Sequence, residues 1–99
     1  MLRDVLRAAG WPKAERGQQR AGGADSPDVR GGPAGVHFEC KFTETLRLRE
    51  ALAQAQGDAP PDSLAIVAHK ANGKPWVAVL DLDALLGLLR ELERRRMMD

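Results

Sequence analysis

The chain contains one cysteine, Cys40, no tyrosine, and few aromatic residues. A single cysteine excludes an intramolecular disulfide, and no cluster of cysteine and histidine suggests a zinc site. No apolar run has the length of a membrane span, and no signal peptide is visible. We therefore expect a cytoplasmic protein that has no membrane partner.

The charge is nearly balanced, at +1 over 99 residues, so no strong electrostatic field indicates a nucleic-acid partner. The distribution is more informative. Residues 1–49 contain nine Lys/Arg and six Asp/Glu. Residues 50–99 contain six Lys/Arg and eight Asp/Glu. The basic excess therefore lies in the first half, which weakly favours an anionic partner there. The length fits one domain, residues 1–99, with a thin core of its own.

Three segments have the apolar spacing of helices. Residues 2–9 form the first, ended by Gly10 and Pro12. A second is predicted over 44–56, with Thr43 as its N-cap. The third covers 82–97 and is capped by Asp81. Its predicted inner side is leucine-rich and comprises Leu82, Leu85, Leu86, Leu89 and Leu92.

Strands are predicted between these helices. A brief strand is expected at 27–29 and a longer one at 36–42, whose apolar and polar residues alternate. Residues 63–69 and 75–80 form a predicted β-hairpin around the Asn72-Gly73 turn, and the first of these strands is apolar enough to be central. The order α-β-β-α-β-β-α predicts an α/β fold, with a mixed central sheet flanked by helices.

Asp28, Glu39 and Lys41 are the residues whose types suggest chemistry. Glu39 and Lys41 fall on one face of the 36–42 strand, and Asp28 precedes it at a turn. Two carboxylates suit Mg²⁺, which prefers oxygen ligands, and the backbone carbonyl of Cys40 could add another. The lysine could stabilise a phosphodiester transition state. The alternative is a solvated strand face with a Glu–Lys pair.

Three longer segments carry a family resemblance: GWPKAERGQQRAGGADSPDV, GVHFECKFTETLRLREALAQA and VAHKANGKPWVAVLDLDALLGLL. They resemble small phage and prophage-type PD-(D/E)xK endonucleases, relatives of Holliday junction resolvases and of VRR-NUC domains. The resemblance covers nearly the whole chain. It implies a restriction-endonuclease-like fold and a Mg²⁺-dependent endodeoxyribonuclease, with Mn²⁺ as a substitute and branched DNA as a candidate substrate. Asp28 takes the place of the motif aspartate, Glu39 that of the motif acid and Lys41 that of the motif lysine.

Further site residues follow from the resemblance and from position. Gln54 occupies a helix in which related nucleases place a polar residue near the scissile phosphate; a solvent-facing glutamine is the alternative. A glycine-rich loop and a hairpin tip supply candidate DNA contacts, for which solvated polar side chains are the alternative. These candidates are Gln18, Gln19, Arg20, Lys70 and Lys74, together with His37 on the catalytic face.

Family members usually begin with a longer helix that carries a glutamate in a G-E-R-E-like stretch. Here Asp4 and Glu15 are the only acids nearby, and neither has that context. This departure favours a second hypothesis, a truncated nuclease fold that binds DNA without cutting it. A third hypothesis is an interaction protein that uses the leucine-rich last helix. We also expect a homodimer, joined through the 75–80 strand with Trp76 or through the last helix.

Overall fold

A computed structural model describes residues 1–17 and 29–98. The fold is mixed α/β, with a mixed three-stranded sheet, a pair of short antiparallel strands and three helices. The elements in chain order are α1 (Leu2–Ala8), β1 (Glu15–Arg16), β2 (Val29–Arg30), β3 (Val36–Phe42), α2 (Leu48–Asp58), β4 (Leu64–Lys70), β5 (Val77–Val79) and α3 (Leu82–Met98).

The main sheet has the order β3-β4-β5, with β4 in the centre. β3 and β4 are parallel, with Val36 opposite Leu64, and α2 forms the crossover between them. β4 and β5 are antiparallel, with His69 opposite Val77. This confirms the predicted hairpin, whose turn includes Gly73 at a φ of 72°. It also confirms the central position of the apolar strand, in which Val67 is fully buried.

One face of the sheet is covered by the N-terminal part of the chain. Leu2 and Leu6 of α1 pack with Ala14 against Cys40 and Ala68 of the sheet. Gly31, which follows β2, permits a close approach in this region. Its φ is 75°, and a Cβ atom built there would lie 2.3 Å from the carbonyl oxygen of Lys13. Only glycine meets both conditions without strain.

The opposite face is covered by α2, whose Ala51, Leu52 and Ala55 pack on Val67. The predicted helix was placed too early. Its N-cap is Arg47, which makes no side-chain capping bond, and not Thr43. The Thr43 side chain lies instead against His69, with 3.3 Å between Oγ1 and Nε2. The Thr43 hydroxyl, which was predicted to cap the helix, instead contacts His69 near the end of β4.

α3 has the predicted bounds to within one residue, but its predicted inner side is wrong. Within the described chain, α3 has no buried residue, and Leu82, Leu89 and Leu92 are 66%, 48% and 55% exposed. In the described part of the chain, the main sheet has three strands, and α2 already covers one of its faces. Along residues 1–17 and 29–98, no helix has both the length and the apolarity required to cross a bilayer.

Candidate functional site

The predicted site residues fall into a described and an undescribed group. Asp28, Gln18, Gln19 and Arg20 lie outside the described residues. The described group is formed by Glu39, Lys41, Gln54 and the other candidates on β3 and the hairpin. The geometry of the site therefore rests on β3, α2 and β4.

Glu39 is 1% exposed, in the middle of β3. It stands opposite Val67 in the parallel register, and side chains of paired residues lie on the same face. That face is the one that α2 covers, so the alternative of a solvated strand face does not hold at Glu39. A buried carboxylate is costly unless its charge is compensated, which is why such groups concentrate at binding and catalytic sites.

Lys41 lies on the same face of β3 as Glu39, one alternation closer to the carboxyl end of the strand. Its Nζ donates a hydrogen bond to Oε1 of Gln54, at 2.9 Å. Gln54 belongs to α2, so this contact joins the strand of the E-x-K pattern to the helix that follows it. The structure thus brings together two residues that the sequence separates by 13 positions.

A cleft of about 260 Å³ opens beside Lys41 and Gln54. Its other lining residues come from the β3–α2 connection and from the first half of α2: Thr43, Thr45, Leu46, Arg47, Glu50 and Ala51. In open sheets with parallel strands, ligands commonly bind beyond the carboxyl ends of the strands. The cleft has this position, since Lys41 and Thr43 lie at the end of β3.

Arg47 and Glu50 are the charged cleft residues that sequence analysis missed. Both are strongly exposed, and Nη1 of Arg47 lies 3.7 Å from Oε2 of Glu50. With Lys41, Arg47 gives the cleft two cationic side chains, which suits an anionic ligand. Their positions immediately after the E-x-K strand were a usable signal. The misplaced start of α2 concealed it, because residues 44–47 were assigned to the helix and not to the loop.

His69 links the ends of the two parallel strands. Its Nε2 lies 2.7 Å from the carbonyl oxygen of Thr43, and Lys41 stands opposite His69 in the register. The imidazole therefore holds the segment that leaves β3 close to the end of β4. Thr43 lines the cleft, so this contact positions one of the lining residues.

The other DNA-contact candidates do not gather at the cleft. His37 shares the face of Lys41, but it lies four positions earlier along β3, or about 13 Å away. Lys70 stands opposite Phe42, hence on the other face of the sheet, and its Nζ donates to the carbonyl oxygen of Ala71 at 3.1 Å. Lys74 is exposed at the hairpin turn. None of these three side chains lines the cleft beside Lys41.

The possible metal ligands are sparse in the described part of the chain. Across residues 1–17 and 29–98, no group of three or more Asp, Glu, His or Cys side chains is close enough to hold a metal ion. Glu39 contributes one carboxylate. The Cys40 thiol is buried on the opposite face of β3, within the core formed with α1. The thiol is therefore not a candidate metal ligand beside Glu39, and Cys40 could contribute only its backbone carbonyl oxygen.

Comparisons with known proteins add no family assignment. No protein-family model, no curated protein and no solved structure matches the chain.

Proposed function

We propose that the protein is a metal-dependent endodeoxyribonuclease of the PD-(D/E)xK type, with a restriction-endonuclease-like fold. Its substrate is DNA, with branched DNA such as a Holliday junction as the candidate form. The catalytic residues in this proposal are Asp28, Glu39 and Lys41, assisted by Gln54. The reaction is hydrolysis: water adds to phosphorus, one P–O bond breaks, and the leaving oxygen takes a proton.

The contact between Lys41 and Gln54 is the observation that carries the proposal. It lies at the carboxyl end of a parallel strand, on the same face as a buried glutamate and beside a cleft with a second cation, Arg47. A Glu–Lys pair on a solvated strand face would leave the carboxylate exposed, whereas Glu39 is buried. The arrangement supports a site that binds and polarises an anionic group.

The donor set fits Mg²⁺ only with a residue from outside the described part. Glu39 supplies one hard oxygen ligand, and Asp28 is the second acid of the proposal; the Cys40 carbonyl is the third candidate ligand. When bound, the ion supplies charge neutralisation and a more acidic water. The assignment of Glu39 as a ligand therefore depends on Asp28, and both must be tested together.

Lys41 and Arg47 have roles that follow from their own chemistry. A lysine ammonium has three donors, so Lys41 can keep its bond to Gln54 while another N–H binds a phosphate oxygen. Gln54 thereby fixes the direction of the ammonium before substrate arrives, which reduces the ordering needed at the reaction step. Arg47, at the rim of the cleft, can hold a neighbouring phosphate.

The test is a cleavage assay on plasmid, linear and four-way-junction DNA, with Mg²⁺, with Mn²⁺ and with EDTA. Lys41→Ala, Glu39→Gln and Asp28→Asn should each lower the rate of cleavage at least about 10²-fold, the scale of a lost transition-state stabiliser. Glu39→Gln is chosen because the side chain is buried and the amide preserves its volume. Lys13→Ala removes an exposed lysine elsewhere and serves as the matched control. Cleavage that is unchanged in Glu39→Gln refutes the proposal.

A second candidate function is DNA binding without cleavage. The burial of Glu39 favours it, because a carboxylate covered by α2 is less open to a hydrated ion than one on a free strand face. Lys41 and Arg47 would still bind phosphate in such a module. Retention of DNA by wild type in a gel-shift assay, weakened by Arg47→Ala but accompanied by no cleavage with either metal, would select this function.

A further inference from the structure

α3 presents an apolar surface that the rest of the described chain leaves uncovered. The chain is held at the start of α3, where Oδ2 of Asp81, the residue before the helix, accepts a hydrogen bond from Nε2 of Gln56 at 2.6 Å. Ala84 lines a cleft of about 340 Å³ beside the end of α2. From there the helix extends for 17 residues, or about 25 Å. The leucine stripe, as we name this surface, consists of Leu82, Leu85, Leu86, Leu88, Leu89 and Leu92.

The leucine stripe has the geometry of a helix-pairing surface. At about 100° per residue its members fall within an arc of about 160°. Leu82, Leu85, Leu89 and Leu92 recur at alternating intervals of three and four residues, the spacing of a coiled-coil seam. Gly87 lies on the opposite side of the helix. A helix with one wide apolar face and one polar face is built to bury that face against a partner.

The charges of α3 select the direction of the pairing. Asp81 and Asp83 lie at its start. The second half carries four arginines (residues 90 and 94–96) and two glutamates, Glu91 and Glu93, with Arg94 3.2 Å from Glu91, so its net charge is +2. Parallel pairing with a second copy would place arginine clusters side by side and acids side by side. Antiparallel pairing places the acidic start of each helix next to the basic end of the other, which is favourable on both ends.

The same antiparallel register aligns the leucines. With Gly87 at the level of the two-fold axis, Leu82 of one copy faces Leu92 of the other, and Leu85 faces Leu89. Asp81 then flanks the seam on the same side as Arg95 of the second copy, and Leu88 meets its own equivalent near the axis. A two-fold interface must be self-complementary in this way. The sequence of α3 meets that requirement in both its apolar and its charged residues.

We propose that α3 binds α3 of a second copy of this chain, in an antiparallel pair sealed by the leucine stripe. The proposal rests on α3 alone and is independent of the nuclease assignment. No residue of α3 lines the cleft at Lys41, so substitutions in the leucine stripe leave the lining of the cleft unchanged. Loss of dimerisation and loss of cleavage can therefore be separated.

Sedimentation equilibrium of the full chain at micromolar concentration tests the association. Wild type should sediment at twice the chain mass of 10.8 kDa. Leu89→Glu should weaken the dimer at least about 30-fold, because it places a carboxylate in the seam. Gly87→Glu adds the same charge to the opposite side of the helix and should leave the dissociation constant unchanged. A wild-type monomer, or equal weakening by both variants, overturns the proposal.

Cysteine cross-linking tests the direction, in a Cys40→Ala background. Under mild oxidation with copper phenanthroline, Leu88→Cys should give a covalent dimer, since the two introduced thiols meet near the axis. Leu82→Cys should not, because the equivalent residues lie at opposite ends of the pair. The reverse pattern indicates a parallel pair and refutes the antiparallel arrangement. Binding of a monomeric wild type to phosphatidylcholine–phosphatidylserine vesicles would assign the leucine stripe to a lipid surface instead.

Discussion

α2 and α3 are both amphipathic helices, yet they occupy opposite situations. α2 is 11 residues long and buries Ala51, Leu52 and Ala55 against the sheet. α3 is 17 residues long and far richer in leucine, yet within the described chain none of its residues is buried. The small residues of α2 allow a close approach to β4, whereas bulky leucines fill a wider gap. The comparison teaches that an apolar stripe predicts a covered surface, but does not identify the molecule that covers it.

The largest expected difference between the two helices concerns stability. Leu52→Ala should lower the free energy of unfolding by about 2–5 kcal/mol, because Leu52 is 6% exposed and its removal leaves a cavity. Leu86→Ala, at 47% exposure, should change it by less than about 0.5 kcal/mol in the monomer. Urea unfolding followed by tryptophan fluorescence at nanomolar protein measures both. Equal losses would show that α3 packs on its own sheet.

Substitution of Gly31, which lies against the Lys13 backbone, should lower the free energy of unfolding nearly as much. Gly31→Ala should lower the free energy of unfolding by about 1–3 kcal/mol from its positive φ, and further because the new Cβ meets the Lys13 carbonyl. Gly35→Ala is the matched control: its φ is also 75°, but no atom lies within 4 Å of the added Cβ. In thermal unfolding, the melting temperature of Gly31→Ala should therefore be lower than that of Gly35→Ala. Equal melting temperatures would show that the contact with the Lys13 carbonyl does not contribute to the loss of stability.

A smaller effect is expected for Gln54, on the side of α2 that faces the cleft, and it concerns the rate of cleavage. Gln54→Ala should reduce cleavage by about 10-fold, the value of one hydrogen bond that positions Lys41. Gln56→Ala removes the same side chain two positions later, where it bonds Asp81 and not the cleft. It should leave the rate of cleavage unchanged. If both variants cleave like wild type, Gln54 has no positioning role.

The smallest expected change is in the stability of α3, and here the substitution should stabilise and not destabilise. Gly87→Ala should stabilise the helix by up to about 1 kcal/mol, because alanine is the better helix former and no atom lies within 4 Å of the added Cβ. Circular dichroism during thermal unfolding checks the sign. Destabilisation would indicate that a partner approaches the backbone at Gly87, on the side opposite the leucine stripe.

The elements with strong local signals were predictable from sequence. The alternation of residues 36–42, the Asn72-Gly73 turn and the leucine spacing of the last helix each depend on neighbours in the chain, and the structure confirms the elements. The start of α2 was not predictable from Thr43, since its hydroxyl had an equally good partner in His69. That competition is tertiary, and no local propensity encodes it.

The candidate site was predictable in its residue types but not in its environment. The E-x-K spacing correctly places Glu39 and Lys41 on one face of β3. The burial of Glu39 depends on α2 crossing that face, and the contact of Lys41 with Gln54 depends on the helical phase of α2. Arg47 entered the site only once the helix start was known. The catalytic roles of Asp28, Glu39, Lys41 and Gln54 stay predictions.

The parallel pairing of β3 with β4 also has a consequence for the order of folding. Paired residues such as Val36 and Leu64 are 28 positions apart, whereas His69 and Val77 of the hairpin are eight apart. Closing the longer loop costs about 1 kcal/mol more in chain entropy, so we expect the hairpin to form first and β3 to join last. Substitutions in β3 should then accelerate unfolding more than they slow folding. The strand that carries Glu39 and Lys41 would complete the main sheet, so that chains with only the hairpin formed have no assembled site.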